Sequence, residues 1–183
     1  MRIISGKWKG KRLESPEGKD IRPTSDRTRE ALFNLLIHLD ENPLIDQPVM
    51  DICCGSGALG LEALSRGASH CHFVDNGQQA LRLVQHHIDL FGARTQAKVL
   101  QANASALPHA PEPMSLIMMD PPYQHTTLVE ATYASLQAQG WLRAGTIISV
   151  EQSKKNPPPP LEGTEIIKQR AYGRSEITLF RVL

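Results

Sequence analysis

No run of eighteen apolar residues occurs anywhere in the chain, so nothing in it reads as a membrane span. The opening residues, Met1-Arg2-Ile3-Ile4-Ser5-Gly6-Lys7, lack the apolar stretch of a secretory leader, and a soluble, unprocessed, cytoplasmic protein is expected. Cysteine is scarce: Cys53, Cys54 and Cys71 are the only three. Two of them are adjacent, a spacing that rarely bridges, and no CxxC knuckle is present. That excludes a disulfide scaffold and fits a reducing compartment. The pairs His70/His72 and His86/His87 have no carboxylate or thiolate at a familiar ligand spacing, so no metal is expected. Internal repeats are absent, and the only low-complexity tract is Pro157 to Pro160.

What is present suffices for one compact domain over residues 1–183, with 40% of residues hydrophobic. The net charge of +1 hides an asymmetry. Residues 1–30 carry nine Lys/Arg against five Asp/Glu, residues 31–150 five against ten, and residues 151–183 six against four. Basic ends around an acidic middle suggest that the termini meet a polyanion while the middle holds a ligand that is not one. The first thirteen residues include Arg2, Lys7, Lys9, Lys11 and Arg12 without an acid. They read as short strands turning at Gly6 and Gly10, a basic β-hairpin appendage over 1–21 in which Trp8 is set among the basic residues, beside a catalytic core over 22–183.

From residue 22 the pattern alternates. Thr24, Ser25 or Asp26 can cap a helix whose Leu32, Leu35, Leu36 and Leu39 recur at helical spacing, predicting helix 26–39. Apolar strands follow at 49–53, 70–75, 96–102, 115–120 and 145–151, separated by helices at 58–66, 77–91 and 126–139. Strands separated by helices build a mostly parallel sheet covered on both faces. The proline run then stops the rhythm, and segments 164–170 and 174–182 flank Tyr172-Gly173 as an antiparallel hairpin. An α/β fold ending this way is similar to the Rossmann-like methyltransferase sheet, whose last strand inserts antiparallel.

Two motifs carry chemistry. The first is Asp51-Ile-Cys-Cys-Gly55-Ser-Gly57-Ala-Leu-Gly60, between a strand and a helix. Gly55 and Gly57 let the backbone turn tightly and approach a ligand at a helix N-terminus. Asp75, at the end of the next strand, is placed to accept both hydroxyls of a ribose. The spacing also satisfies the fingerprint of a dinucleotide enzyme. S-adenosylmethionine fits better: Asp51 can meet an amino group where a pyrophosphate would be repelled, an acidic middle suits a sulfonium, and only one nucleotide-binding half is present. The second motif is Asp120-Pro121-Pro122-Tyr123, leaving a strand. The Asp120 carboxylate and the Pro121 carbonyl can accept hydrogen bonds from an aromatic amine, localising its lone pair towards a methyl donor. The prolines limit reorganisation, and Tyr123 offers a face to a splayed base. A non-catalytic RNA-binding module is the other class of reading, but it would need neither motif.

With these residues in hand the chain resembles the bacterial 16S rRNA guanine-N2 methyltransferases of the RsmD type. The carriers are Arg2-Ile-Ile-Ser-Gly-Lys-Trp-Lys-Gly, Arg22-Pro-Thr-Ser-Asp-Arg-Thr-Arg-Glu-Ala-Leu-Phe-Asn, Gly55-Ser-Gly-Ala-Leu-Gly-Leu-Glu-Ala-Leu-Ser-Arg-Gly-Ala and Asp120-Pro-Pro-Tyr. The resemblance implies a seven-stranded class I fold, S-adenosylmethionine as donor without a metal, and as acceptor a guanine of 16S rRNA in the small ribosomal subunit or its assembly intermediate. It implies that Asp51, Gly55, Gly57 and Asp75 bind the donor, that Asn103 and Ala104 lie near its adenine, and that Asp120 to Tyr123 hold the base. Arg22, Pro23 and Thr24 would line the entrance, with Arg2, Lys7, Trp8, Lys9 and Lys11 on RNA and the protein acting as a monomer. The tetrapeptide is shared with N6-adenine methyltransferases of RNA and DNA, which remain an alternative. Cys53-Cys54 stands where the family carries an aromatic and a small residue. Asn103 replaces a common aspartate, and its side-chain carbonyl would accept the adenine amine.

Overall fold

A computed structural model describes residues 1–14, 26–121 and 127–183. The helices are α1 (Asp26–Ile37), α2 (Ala58–Ser65), α3 (Gln78–Leu90) and α4 (Leu128–Ala138). The strands are β1 (Pro48–Ile52), β2 (His70–Asp75), β3 (Ala97–Gln101), β4 (Leu116–Met119), β5 (Ile147–Ser153), β6 (Thr164–Tyr172) and β7 (Ser175–Val182). They form one seven-stranded sheet in the order β3-β2-β1-β4-β5-β7-β6. The first five strands are parallel, and β7 lies antiparallel between β5 and β6. This is the Rossmann-like α/β methyltransferase architecture expected from the sequence. Among the described residues no helix is long and apolar enough to cross a membrane.

Strands buried on both faces explain the continuous apolar runs, since successive side chains enter opposite layers. On β1, Val49 joins the core beneath α1, α2 and α3, while Met50 and Ile52 join the core beneath α4. On β4, Leu116 and Met118 enter the first layer and Ile117 and Met119 the second. The periodicity of α1 serves the first layer: Leu32, Phe33 and Leu36 are buried there and Leu35 partly so.

The amino-terminal segment is not an appendage. Residues 2–13 do close on themselves, with an antiparallel bridge between Arg2 and Arg12 and hydrogen bonds from the Ile3 amide to Lys11 O and from the Gly10 amide to Ile3 O. The closed loop is docked on α2, however, and contributes Ile3, Trp8 and Leu13 to the first core. The buried Glu62 carboxylate accepts the amides of Ile4 at 2.8 Å and Ser5 at 3.0 Å, while Ser65 Oγ accepts that of Trp8 at 3.0 Å. Gly6 makes the approach possible: at φ +82°, a Cβ there would sit 1.8 Å from the Ser65 carbonyl oxygen. Burying three apolar side chains needs a docked segment, which corrects the expectation of a free basic hairpin.

Candidate active site at the carboxyl edge of the sheet

Strand register decides which side chains meet. Ile52 of β1 pairs with Val74 of β2 and Met119 of β4, and Met119 pairs with Val150 of β5. One residue further on, Asp75, Cys53, Asp120 and Glu151 follow the paired positions of four adjacent strands. Strand order reverses between β1 and β4, so this row crosses the switch point. There neighbouring connections leave for opposite faces and open a crevice.

The turn between β1 and α2 is built to approach a ligand closely. Cys53 holds φ 59°, a left-handed conformation that a side chain rarely adopts. Gly57, the N-cap of α2, has φ 76°, and a Cβ on it would lie 2.4 Å from Val84 Cγ2. A Cβ on Gly55 meets nothing within 4 Å, so the backbone there presents an open cradle before the first turn of α2. The Asp75 carboxylate fastens this turn, Oδ2 accepting the Gly55 amide at 3.0 Å and Oδ1 the Gly77 amide at 2.8 Å. Each carboxylate oxygen still has acceptor capacity, so ribose hydroxyls can join these amides.

Asp51 points inward. It is 1% exposed, and its Oδ2 accepts the Gly60 amide at 2.9 Å, capping the first turn of α2 from within the core. Burial pushes its carboxyl well above the usual range, opposed by the Gly60 hydrogen bond and reinforced by the charges of Asp120 and Asp75. The Cys53 thiol is pushed up to about 12 by burial, then by Asp75, Asp51 and Asp120. Three carboxylates acting on one thiol define an electronegative crevice, which favours a cation. Burial foremost also pushes the Cys54 and Cys71 thiols up. No cysteine is therefore a thiolate nucleophile at neutral pH.

The adenine end of the expected site differs in detail. Ala104 is buried and Asn103 exposed on the loop after β3, which the Ala102 amide ties to Asp75 O at 3.1 Å. Asn103 Oδ1 already accepts the Ser105 amide at 3.1 Å and Ser105 Oγ at 3.0 Å. Both its lone pairs are engaged, so this side chain offers a ligand its NH2 donors, not the carbonyl expected to take the adenine amine.

Asp120 is half-buried and engaged in a contact of its own, and Pro121 is buried. Pro122, Tyr123, Arg22, Pro23 and Thr24 lie outside the described residues. Trp8 is not a surface aromatic: it is 8% exposed and packs edge-on against Phe91 with ring centroids 5.2 Å apart. This corrects its expected role on RNA, because the core already uses the ring. Nor do the amino-terminal lysines adjoin the crevice. Lys7 donates to Gln96 Oε1 at 2.7 Å and its amide to Ser65 O, placing it where α2 ends and β3 is about to begin, at the opposite edge of the sheet. Arg2, 3.9 Å from Asp26, is mostly exposed. Glu151 escaped the sequence reading, although it follows an apolar run just as Asp75 and Asp120 do. Among the described residues no group of three or more potential ligands could hold a metal.

Residues 1–181 match the model of the family described as conserved hypothetical protein 95. The chain is 36% identical over 183 residues to the ribosomal RNA small subunit methyltransferase D of Escherichia coli K12, covering 99% of this chain and 89% of that protein. It is 31% identical over 188 residues to the protein of the same name from Haemophilus influenzae, with coverage of 99% and 93%. The solved structure of yhhF from Escherichia coli superposes with a TM-score of 0.86 at 30% identity, covering 100% of this chain and 97% of that one.

Proposed function

Because the chain belongs to the conserved hypothetical protein 95 family, the RsmD family, we propose that it transfers a methyl group from S-adenosylmethionine to the exocyclic N2 amine of a guanine in 16S rRNA. The substrate would be the small ribosomal subunit or its assembly intermediate, met by a monomer in the cytoplasm. The observation that carries the reading is the row across the switch point, with Asp75 on one side of the glycine turn and Asp120 on the other. A donor clamp and an amine acceptor thereby face one crevice.

The donor brings a methyl group already activated on a sulfonium, so the protein has to place and orient. Gly55 and Gly57 let the backbone approach, Asp75 takes the ribose hydroxyls, and Asp51 holds the turn through Gly60. Ala104 and the amide nitrogen of Asn103 border the adenine. The Asp120 carboxylate and the Pro121 carbonyl accept the two N–H bonds of the guanine amine, aiming its lone pair at the methyl carbon. Asp120 is the proton acceptor as the new C–N bond forms. Pro121 and Pro122 hold the acceptors fixed, Tyr123 stacks on the base, and Arg22 and Thr24 line its entrance. Arg2, Lys7, Lys9 and Lys11, on a different part of the surface, serve remote phosphates.

The test is transfer of labelled methyl to small subunits and to deproteinised 16S rRNA, both from cells lacking this protein, followed by nucleoside analysis. N2-methylguanosine is expected. N6-methyladenosine would shift the acceptor to adenine, and no label despite demonstrated donor binding would overturn the RNA reading.

A further inference from the structure

We propose that the tip of the β6–β7 hairpin and the groove between β6 and α1 form an RNA-docking surface that grips the strand flanking the target base. This rests on the RNA reading above. The register fixes the location. Ser175 at the start of β7 pairs with Ser153 at the end of β5, and with Tyr172 at the end of β6. The hairpin tip therefore rises at the same carboxyl edge as Asp120, and the Lys154 amide bonded to Arg174 O at 3.0 Å joins the exit of β5 to that tip.

Three exposed cations, Lys154, Lys155 and Arg174, cluster there. Below them, Lys168, Arg170 and Tyr172 alternate on the face of β6 that looks towards α1, about 7 Å apart. With Asn34 and His38 of α1 they line a groove of about 380 Å³. None of the five cations makes an ion pair among the described residues, whereas Arg29, Arg66, Arg94 and Arg181 all do. Unpaired like charges at one edge repel each other until a polyanion neutralises them. The row of cations down one strand with a half-buried tyrosine among them fits an extended single strand, its phosphates on Lys168 and Arg170 and a base on Tyr172. The amino-terminal lysines, at the opposite edge, cannot supply this contact beside the reacting base.

The test compares wild type, the triple variant K154E/K155E/R174E, the double variant K168E/R170E and, on the far strand β3, K98E. Binding to deproteinised 16S rRNA is measured over a range of potassium chloride, with donor affinity measured in parallel by calorimetry. The triple variant should bind RNA at least about ten-fold more weakly and flatten the slope of log K against log salt by about two, given roughly 0.7 per phosphate on a single strand. The double variant should show about two-thirds of that flattening. Donor affinity should not move, and K98E should match wild type. Unchanged RNA affinity and slope in both multiple variants would overturn the surface, as would a parallel loss of donor binding. If wild type binds RNA with the expected differences but transfers no methyl, the surface stands and the proposed reaction falls. If it transfers methyl and the variants bind as wild type does, the reverse holds. If wild type binds no deproteinised rRNA, the surface falls, and the proposed reaction is decided by methyl transfer to small subunits.

Discussion

Removing the Glu62 carboxylate tests the architecture at its most connected point. It lies on α2, fully buried, accepting the Ile4 and Ser5 amides and Arg66 Nε at 2.7 Å, with Arg29 Nε 3.7 Å away. Arg29 is itself fully buried and its Nη1 has no hydrogen-bond partner, so Glu62 is the buried negative charge beside it. Glu62→Ala leaves that guanidinium with only the half-exposed Asp26, 2.9 Å from Nη2, as a charge partner and orphans two backbone amides. Breaking a buried pair from one side costs about 3–5 kcal/mol, a large part of the roughly 5–15 kcal/mol available to a domain. Glu62→Gln keeps one acceptor oxygen but sets an NH2 donor where the other oxygen served an amide, so it should also destabilise, though less than the alanine variant, which loses both acceptors. The assay is urea unfolding followed by circular dichroism, with tryptophan emission as a second probe, since a released amino-terminal loop exposes Trp8. At about 2–4 °C per kcal/mol for a chain of this size, the alanine variant should melt about 10 °C lower. A loss below about 1 kcal/mol, with unchanged emission, would refute the view that Glu62 holds the loop and α1 to the core.

Asp75→Ala should weaken donor binding at least about ten-fold by calorimetry, since it frees the Gly55 and Gly77 amides together and removes the ribose acceptor; unchanged affinity would exclude Asp75 from the donor site. Asp120→Ala should lower kcat at least about a hundred-fold while donor affinity holds, and retained turnover in the methyl-transfer assay would remove its role. His72 is buried on β2 with neither ring nitrogen partnered, and its pKa is drawn from 6.5 down to about 4 by burial, then by Lys98 and His70. A folded pKa below the unfolded one gives stability that is whole above about 6.5 and lost as pH falls towards 4, on the order of 3 kcal/mol in all. Urea unfolding of His72→Phe should be less dependent on pH across that window, and a dependence equal to wild type would refute the assignment.

The sheet was legible because local signals and burial agree. Val49 to Ile52 and Leu116 to Met119 are apolar at every step except Asp51, and positive-φ glycines such as Gly67 and Gly92 end α2 and α3 where the sequence placed their stops. The row of acids was legible for Asp75 and Asp120, which punctuate apolar strands. What sequence could not convey is long-range docking. Ile3, Trp8 and Leu13 have no helical or strand period, so their common burial depends on a partner more than forty residues away. Glu62 sits within Ala58-Leu-Gly-Leu-Glu-Ala-Leu-Ser, a helix apolar on all sides, which was the available sign that its charge is buried. Asn103 read as an acceptor because its competition with Ser105 is a matter of side-chain geometry.

The antiparallel position of β7 also bears on how the molecule is made. This strand separates β5 from β6 but is synthesised after both, so neither can acquire its final neighbour until residues 175–182 are available. Until then the growing chain presents the outer edge of β5, with Ile147, Ile148 and Val150, as an open template for mispairing. Insertion of β7 closes that edge and delivers Leu179 to one core and Phe180 to the other. Both hydrophobic layers thus wait for the same strand, which is synthesised after every other strand of the sheet.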